Sequence, residues 1–258
     1  MPEFLPTLPG LAGDLRVALQ FATRLPLGAF ATGADAGPDL ARASWALPVA
    51  GIVVGGIGAL VYWLTFMLGL APLLCAVPTI AATLLVTGAL HEDGLADTAD
   101  GFGGGTTRER KLAIMHDSRT GTYGVCALFL SLFLRAAALA VLAEPSLVAP
   151  ALIAAHTAAR APLPLFMRLV QPARTDGLSA GAGQPTRARA VAAVLIGAVA
   201  LALLLAPLKA LVGAVLLVAV FAGLSWLTRR QIGGQTGDVA GALEQGGEAL
   251  LLLAATAI

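Results

Sequence analysis

The sequence predicts an all-α, polytopic integral membrane protein of six to seven transmembrane helices plus an N-terminal amphipathic interfacial helix. Three observations carry this. Hydrophobic residues make up 58% of the chain and charged residues only 12%, about half the ~25% charged content of soluble domains; mean hydropathy is +0.86. The apolar residues fall into runs long enough, at ~20 residues each, to cross a hydrocarbon core of roughly 30 Å. The polar residues gather in short segments between those runs.

Taken in order, Leu11, Leu15, Ala18, Leu19, Ala22 and Leu25 recur at helical spacing between Leu11 and Phe30, with Asp14, Arg16, Gln20 and Arg24 interleaved. This is the pattern of a helix lying in the interface plane, ended by Pro26. A polar loop follows over Ala31–Leu40. Leu47–Leu70 is the first span, and Gly51, Gly55, Gly56 and Ala59 give it small-xxx-small faces for close helix contact. Leu73–Leu90 is the second span and delivers an acidic island. Tyr123–Ala143 and Leu147–Val170 are the third and fourth, joined by a turn at Glu144-Pro145-Ser146. After a polar loop over Gln171–Arg189, Ala190–Pro207 and Ala210–Leu227 are the fifth and sixth, hinged at Pro207-Leu208-Lys209. The final run, Ala249–Ile258, reaches ~20 residues only when extended back to Val239. That extension carries Glu244 and Glu248 on one face and makes the seventh span. The chain reads as one membrane-embedded domain over 1–258.

With the spans alternating, one side of the membrane receives Arg16, Arg24, Arg42, Arg108, Arg110, Lys111, Arg119, Arg168, Arg174, Arg187, Arg189, Arg229 and Arg230, and the other only Lys209. Positive-inside bias then places the N-terminus and the polar segments in the cytoplasm. No basic run or aromatic–basic platform points to nucleic acid. Cys75 and Cys126 lie alone in apolar runs and read as small buried hydrophobes. The N-terminal M-P-E-F-L-P-T-L-P-G is not a signal peptide, lacking a basic start and being rich in proline.

The polar island from Gly88 to Gly124 holds Glu92, Asp93, Asp97, Asp100, Glu109 and Asp117, six of the chain's 15 acidic residues. If the second-span helix continues through it, Asp93, Asp97 and Asp100 fall at i, i+4 and i+7 on one face. Like charges so placed repel unless a cation neutralises them, and all-oxygen ligands suit Mg²⁺ or Mn²⁺. A solvated acidic helix end is the plainer reading of the same spacing; the flanking intramembrane sequence favours metal. Gly101, Gly103, Gly104 and Gly105 then end the helix. Arg135, His156 and Arg160 fall within spans, where charge is costly. Arg135 reads as an ion-pair residue and His156 as a hydrogen-bonded packing residue. Arg160 reads equally as an ion-pair partner or the ligand of an anion.

The residues F-A-T-R-L-P from Phe21, the glycines of the first span, E-D-G-L-A-D-T-A-D-G from Glu92, D-S-R-T-G-T-Y-G from Asp117, A-A-R at Ala158–Arg160 and G-G-Q-T-G-D-V-A-G-A-L-E from Gly233 together resemble the adenosylcobinamide-GDP ribazoletransferase (cobalamin 5′-phosphate synthase) family. The resemblance covers essentially the whole chain. His116 stands where the family pattern commonly has Lys, and Phe102 where it has Leu, which weakens any role for a cation at position 116 and leaves the carboxylates untouched. The resemblance implies a Mg²⁺-dependent phosphotransferase of the bacterial inner membrane with its active site facing the cytoplasm. It would join α-ribazole, or its 5′-phosphate, to adenosylcobinamide-GDP with release of GMP. The acidic motif is similar in layout to that of the CDP-alcohol phosphotransferases, but Asp97 stands where those enzymes carry Arg.

For this chemistry Asp93, Asp97 and Asp100 are the expected metal ligands, with Glu92 or Asp238 completing the set. Arg119 is expected to clamp a phosphate or the leaving GMP, and Arg160 is a second phosphate candidate. The turn Gly233–Asp238, through Gly234, Thr236 and Gly237, offers backbone N–H groups to a phosphate, or is simply the loop before the last helix. Asp117, His116 and Glu244 are the candidates for the general base. A homo-oligomer is left open. The competing class is an ion-coupled transporter with a carboxylate cation site; clustering of the carboxylates at one aqueous face, and the lack of an inverted repeat, argue against it.

Overall fold

The computed structural model describes residues 8–28, 39–175, 177 and 181–257. The N-terminal residues 1–7, and all but the last two residues of the loop expected over Ala31–Leu40, lie outside the described residues. The helices are α1 (Leu8–Ala22), α2 (Leu40–Ala43) with a 3₁₀ turn at Ser44–Ala46, α3 (Leu47–Met67), α4 (Pro72–Thr87), α5 (Leu90–Gly104), α6 (Arg108–Met115), α7 (Thr122–Leu142), α8 (Pro145–Arg160), α9 (Leu163–Leu169), α10 (Arg187–Leu204), α11 (Pro207–Ile232) and α12 (Gly237–Thr256). An isolated parallel bridge joins Pro172 to Gln235.

Among the described residues, four helices are by themselves long and apolar enough to cross a membrane: the continuous stretch Leu40–Met67, α7, α10 and α11. The bent pair α4–α5 makes a fifth if its halves count together. Large apolar side chains on them stand open, among them Trp63, Leu64, Phe129, Phe133, Leu203 and Leu211, as a lipid-facing girdle requires. α8 is short at 16 residues, and α12 carries Glu244, Gln245 and Glu248 in mid-helix. Protein shields both. α8 lies against α3 with almost no gap, since a Cβ on Gly51 would meet the His156 carbonyl oxygen at 2.2 Å and one on Gly55 the Ile153 Cα at 2.7 Å. Gly56, by contrast, faces open space. α12 is walled by α5, α7, α8 and α11, so its carboxylates face the bundle interior rather than lipid. Its 20 residues rise about 30 Å, from Asp238 at the polar end to Ala255 at the far end, whose carbonyl accepts from Lys209 Nζ at 2.8 Å.

The helix expected to run from the second span into the acidic island breaks. Gly88 and Ala89 are both left-handed, with φ of 65° and 55°, and α5 leaves at 91° to α4. Glycine is needed at 88 because of that φ and because a Cβ would lie 2.4 Å from Arg24 Nε. The fourth span breaks too: α8 ends at Arg160, and Pro162 and Pro164 deny amide donors to a continuing ladder. α1 stops at Ala22, short of Pro26. From there Arg24 N donates to the Val86 carbonyl at 2.6 Å and pins the chain to the end of α4. The apolar face of α1 packs on protein. Ala18 and Ala22 are buried, and Leu15 and Phe21 pack against a core with Ala46, Leu47, Leu163 and Phe166. Asp14, also buried, accepts from Trp45 Nε1 at 3.0 Å and pairs with Arg42 at 3.0 Å.

Candidate active site

Two glycines bring the acidic helix against the head of the last one. A Cβ on Gly94 in α5 would lie 2.7 Å from the Asp238 carbonyl oxygen, and one on Gly241 in α12 would lie 3.0 Å from that of His91. Backbone meets backbone, and Asp238 joins Asp93 and Asp97. α5 lies beyond the 91° bend, turned away from α4. There burial, and then the charges of Asp93, Asp238 and Asp100, push the Asp97 carboxyl up to about 7. Asp238, in the first turn of α12, is raised too. Burial is the largest cause and Asp93 adds to it, while the Thr236 hydroxyl, Arg174 and His116 pull the other way. Thr236 Oγ1 donates to Asp238 at 3.1 Å, and Arg174 stands 3.8 Å away. Asp93 is exposed. The charges acting on Asp97 are all carboxylates.

Two of the expected ligands are engaged elsewhere. Asp100 accepts from the backbone N–H groups of Gly121 at 2.6 Å and Gly124 at 2.9 Å. It caps the N-terminus of α7 across the fold, where amides and helix dipole favour an anion. Side chains are barred at both glycines, since a Cβ on either would come within 2.6 Å of the carboxylate. Asp100 thereby joins the two motifs as well as standing among the expected metal ligands. Glu92 is buried, its Oε1 3.1 Å from Arg135.

Glu92 belongs to an interior network. Arg135 of α7 also meets Glu248 at 2.7 Å, and His156 of α8 meets the same glutamate at 2.9 Å. Arg160 of α8 meets Glu244 at 2.6 Å and donates to the His156 carbonyl at 2.8 Å. His91 Nδ1 lies 3.4 Å from Glu244 and 3.5 Å from Arg160. Arg160, 1% exposed, thus stands in an ion pair, one of the two roles expected of it. Glu244, a candidate for the general base, is fully buried and pairs with that arginine. His156, Glu244 and Glu248 are close enough to hold a metal, their ligand atoms within 4.8 Å. Both glutamates already carry a guanidinium there.

The loop after α6 carries Asp117 and Arg119 as a bidentate pair, with Nε to Oδ1 at 3.0 Å and Nη2 to Oδ2 at 2.6 Å. Those hydrogen bonds hold the Asp117 carboxyl down at about 2, which makes it a weak base. The Arg119 side chain is 86% exposed. His116 ends α6, exposed, and acts electrostatically on Asp238. In the Gly233 turn, Gly234 packs on residues 171–173, where a Cβ would lie 2.4 Å from the Gln171 carbonyl oxygen, and Gln235 N donates to that oxygen at 2.9 Å. Thr236 caps α12 by accepting from Val239 N at 3.3 Å. Gly237, one of the three expected phosphate contacts, borders a cavity.

That cavity, of about 190 Å³, opens between α1, α5, α9 and the head of α12, and Asp93 and Asp238 lie on its wall. His91 and Gln235, which the motifs did not single out, line it as well. Arg108 is a further omission: it donates to the carbonyls of Ile232 at 2.7 Å and Ala173 at 2.6 Å and clamps α6 over the polar loops. Lys111 meets Gln231 as well, so two of the basic residues interleaved with the acidic ones tie α6 to the end of α11.

A family model described as cobalamin-5-phosphate synthase matches residues 14–256. The chain is 58% identical over 251 residues to an adenosylcobinamide-GDP ribazoletransferase of Bradyrhizobium diazoefficiens, covering 97% of this chain and 96% of that one. It is 49% identical over 243 residues to the protein of that name from Mesorhizobium japonicum, covering 94% and 92%. With the one from Azorhizobium caulinodans it shares 48% over 244 residues, covering 91% and 92%. No solved structure matches.

Proposed function

We propose that this chain, which belongs to the cobalamin-5-phosphate synthase family, transfers the adenosylcobinamide-phosphate group of adenosylcobinamide-GDP to α-ribazole or its 5′-phosphate and releases GMP. The observation that carries the reading is the group Asp93, Asp97 and Asp238 at the polar end of the bundle, where burial and then the neighbouring carboxylates raise Asp97 to about 7. Hard oxygen donors in that state fit Mg²⁺. Asp93, Asp97 and Asp238 would hold it, and when bound it would neutralise pyrophosphate oxygens around the breaking bond.

The chain's own residues supply the rest. A ribose hydroxyl oxygen attacks the phosphorus that bears the cobinamide. A P–O bond forms there, the bond to the bridging oxygen breaks, and GMP leaves with that oxygen. Arg119 is exposed and held by Asp117; it can exchange that carboxylate for a phosphate with the same bidentate geometry. Of the base candidates, Glu244 is buried and committed to Arg160 and Asp117 is the carboxylate that Arg119 holds, so the hydroxyl proton is assigned to His116, which acts on Asp238 of the acidic group. Asp100 holds α7 and the loop before it in register with α5. The active site faces the cytoplasm of a bacterial cell, within one catalytic domain embedded in the bilayer.

Purified protein should release GMP only when adenosylcobinamide-GDP, α-ribazole (or its phosphate) and Mg²⁺ are all present. GMP released without the acceptor, or none with the full set, overturns the reading.

A further inference from the structure

We propose that the cavity between α1, α5, α9 and the head of α12 seats the flat apolar base of the acceptor nucleoside, with its ribose turned toward Asp93 and Asp238. The proposal rests on the transfer reaction above and assigns a place to one of its two substrates.

The cavity has two kinds of lining. Phe21, Leu40, Leu47, Leu163 and Met167 give it apolar sides, while Asp93 and Asp238 are its carboxylates, with His91 and Gln235 the neutral polar side chains beside them. Among the described residues no lysine or arginine lines it. An anionic phosphate or pyrophosphate finds no partner on those sides, and the two carboxylates repel it. A neutral bicyclic base finds aromatic and thioether contacts instead. Ribose hydroxyls are donors, which suits carboxylate acceptors.

Size points the same way. About 190 Å³ is below the ~300–1,000 Å³ of sites for drug-sized ligands, so the space takes a ring system and excludes a corrin macrocycle. Position completes the argument. Asp93 and Asp238 border the cavity, whereas Asp97 and Arg119 do not. Asp93 and Asp238 are thus shared between the acidic group and the cavity. A nucleoside seated inside presents its ribose to the carboxylates from one side, and the diphosphate donor approaches from the other. The apolar sides also set specificity: a base with polar ring edges would leave its donors and acceptors unpaired against Phe21, Leu163 and Met167.

The full-length enzyme in nanodiscs tests this with two variants, Phe21→Ala to empty the apolar side and Met167→Trp to fill it. Each should raise the KM for α-ribazole about tenfold or more and leave the KM for adenosylcobinamide-GDP within about twofold. An increase confined to the donor KM, or no change in either, overturns the assignment. A binding arm is independent of turnover. In a Cys126→Ser background, Met167→Cys should be alkylated by N-ethylmaleimide more slowly when α-ribazole is present, and at the same rate with the donor alone. Protection by the donor and not by α-ribazole also overturns it. Absence of GMP release by the wild-type enzyme would count against the transfer reaction alone, since protection by α-ribazole would still be read.

Discussion

Replacing Asp97 by asparagine is expected to move stability and turnover in opposite directions. The Asp97 carboxyl stands at about 7 against an ordinary 3.8, a gap worth up to ~4 kcal/mol between its charged and neutral forms. The side chain is only half-buried, so solvent screening leaves on the order of 1–2 kcal/mol. The sign follows from proton binding. Between those two values the folded, metal-free protein holds the proton and the unfolded chain releases it, so stability falls as pH rises through this window. The penalty is complete above about 7 and shrinks toward pH 5. Asn keeps the size and removes the charge. Metal-free Asp97→Asn should therefore be more stable than the wild type at pH 8 by about 1–2 kcal/mol, with the gain fading toward pH 5. Turnover should drop by a factor on the order of 10³ or more, because a ligand of the proposed cation is gone. Mg²⁺ should raise the melting temperature of the wild type and much less that of the variant. Thermal unfolding at pH 5 and 8, with and without Mg²⁺, is read beside GMP release. A variant that is less stable at pH 8 without metal, or that keeps near-normal turnover, refutes the reasoning.

Arg160→Met leaves Glu244 buried without its cation and should cost about 3–5 kcal/mol, while the double change with Glu244→Leu should recover much of it; a near-neutral single variant in thermal unfolding would contradict the pair at 2.6 Å. Asp100→Ala strips the acceptor from two backbone amides and should cost about 2–3 kcal/mol, with Mg²⁺ affinity changed far less than in Asp93→Asn when both are titrated by calorimetry. Reporter fusions after Leu70, Gly105, Glu144 and Gly183 should alternate out, in, out, in, and two breaks in that order would refute the topology.

The crossing helices are legible in the sequence because lipid imposes length and hydropathy directly. α7, Thr122–Leu142, matches the run Tyr123–Ala143 to a residue at each end. What local spacing misses are features set by distant neighbours. The break at Gly88 depends on Arg24 arriving from the end of α1. Glu92 and Asp93 are adjacent, yet one points to Arg135 in the interior and the other to the polar end. Successive helical side chains diverge by about 100°, and which of them faces inward is decided by Gly94 packing on Asp238, a contact between residues far apart in the chain. The i, i+4, i+7 spacing put Asp100 with Asp93 and Asp97 correctly. It could not show that two glycine amides of the next motif already occupy its oxygens.

The carboxylates of this chain fall into two thermodynamic classes, and that difference, more than proximity, locates the proposed cation. In the interior, Glu92 and Glu248 share Arg135, and Glu244 has Arg160. Each carboxylate there already meets a guanidinium, and a metal would have to displace it from a desolvated site. His156, Glu244 and Glu248 offer the tighter cluster of ligand atoms and are still the poorer site. Around Asp97 the acting charges are all negative, and a divalent cation is what relieves them. The two classes are joined mechanically by α12. Its interior face is bonded to α7 and α8 through Glu248 and Glu244, and its first turn presents Asp238 to α5 across the Gly94 contact. Arg135 and Arg160 thus touch no substrate, yet they fix the height at which α12 sits and with it the place of Asp238. On the proposed mechanism they are positioning residues, whose loss moves a ligand without removing it.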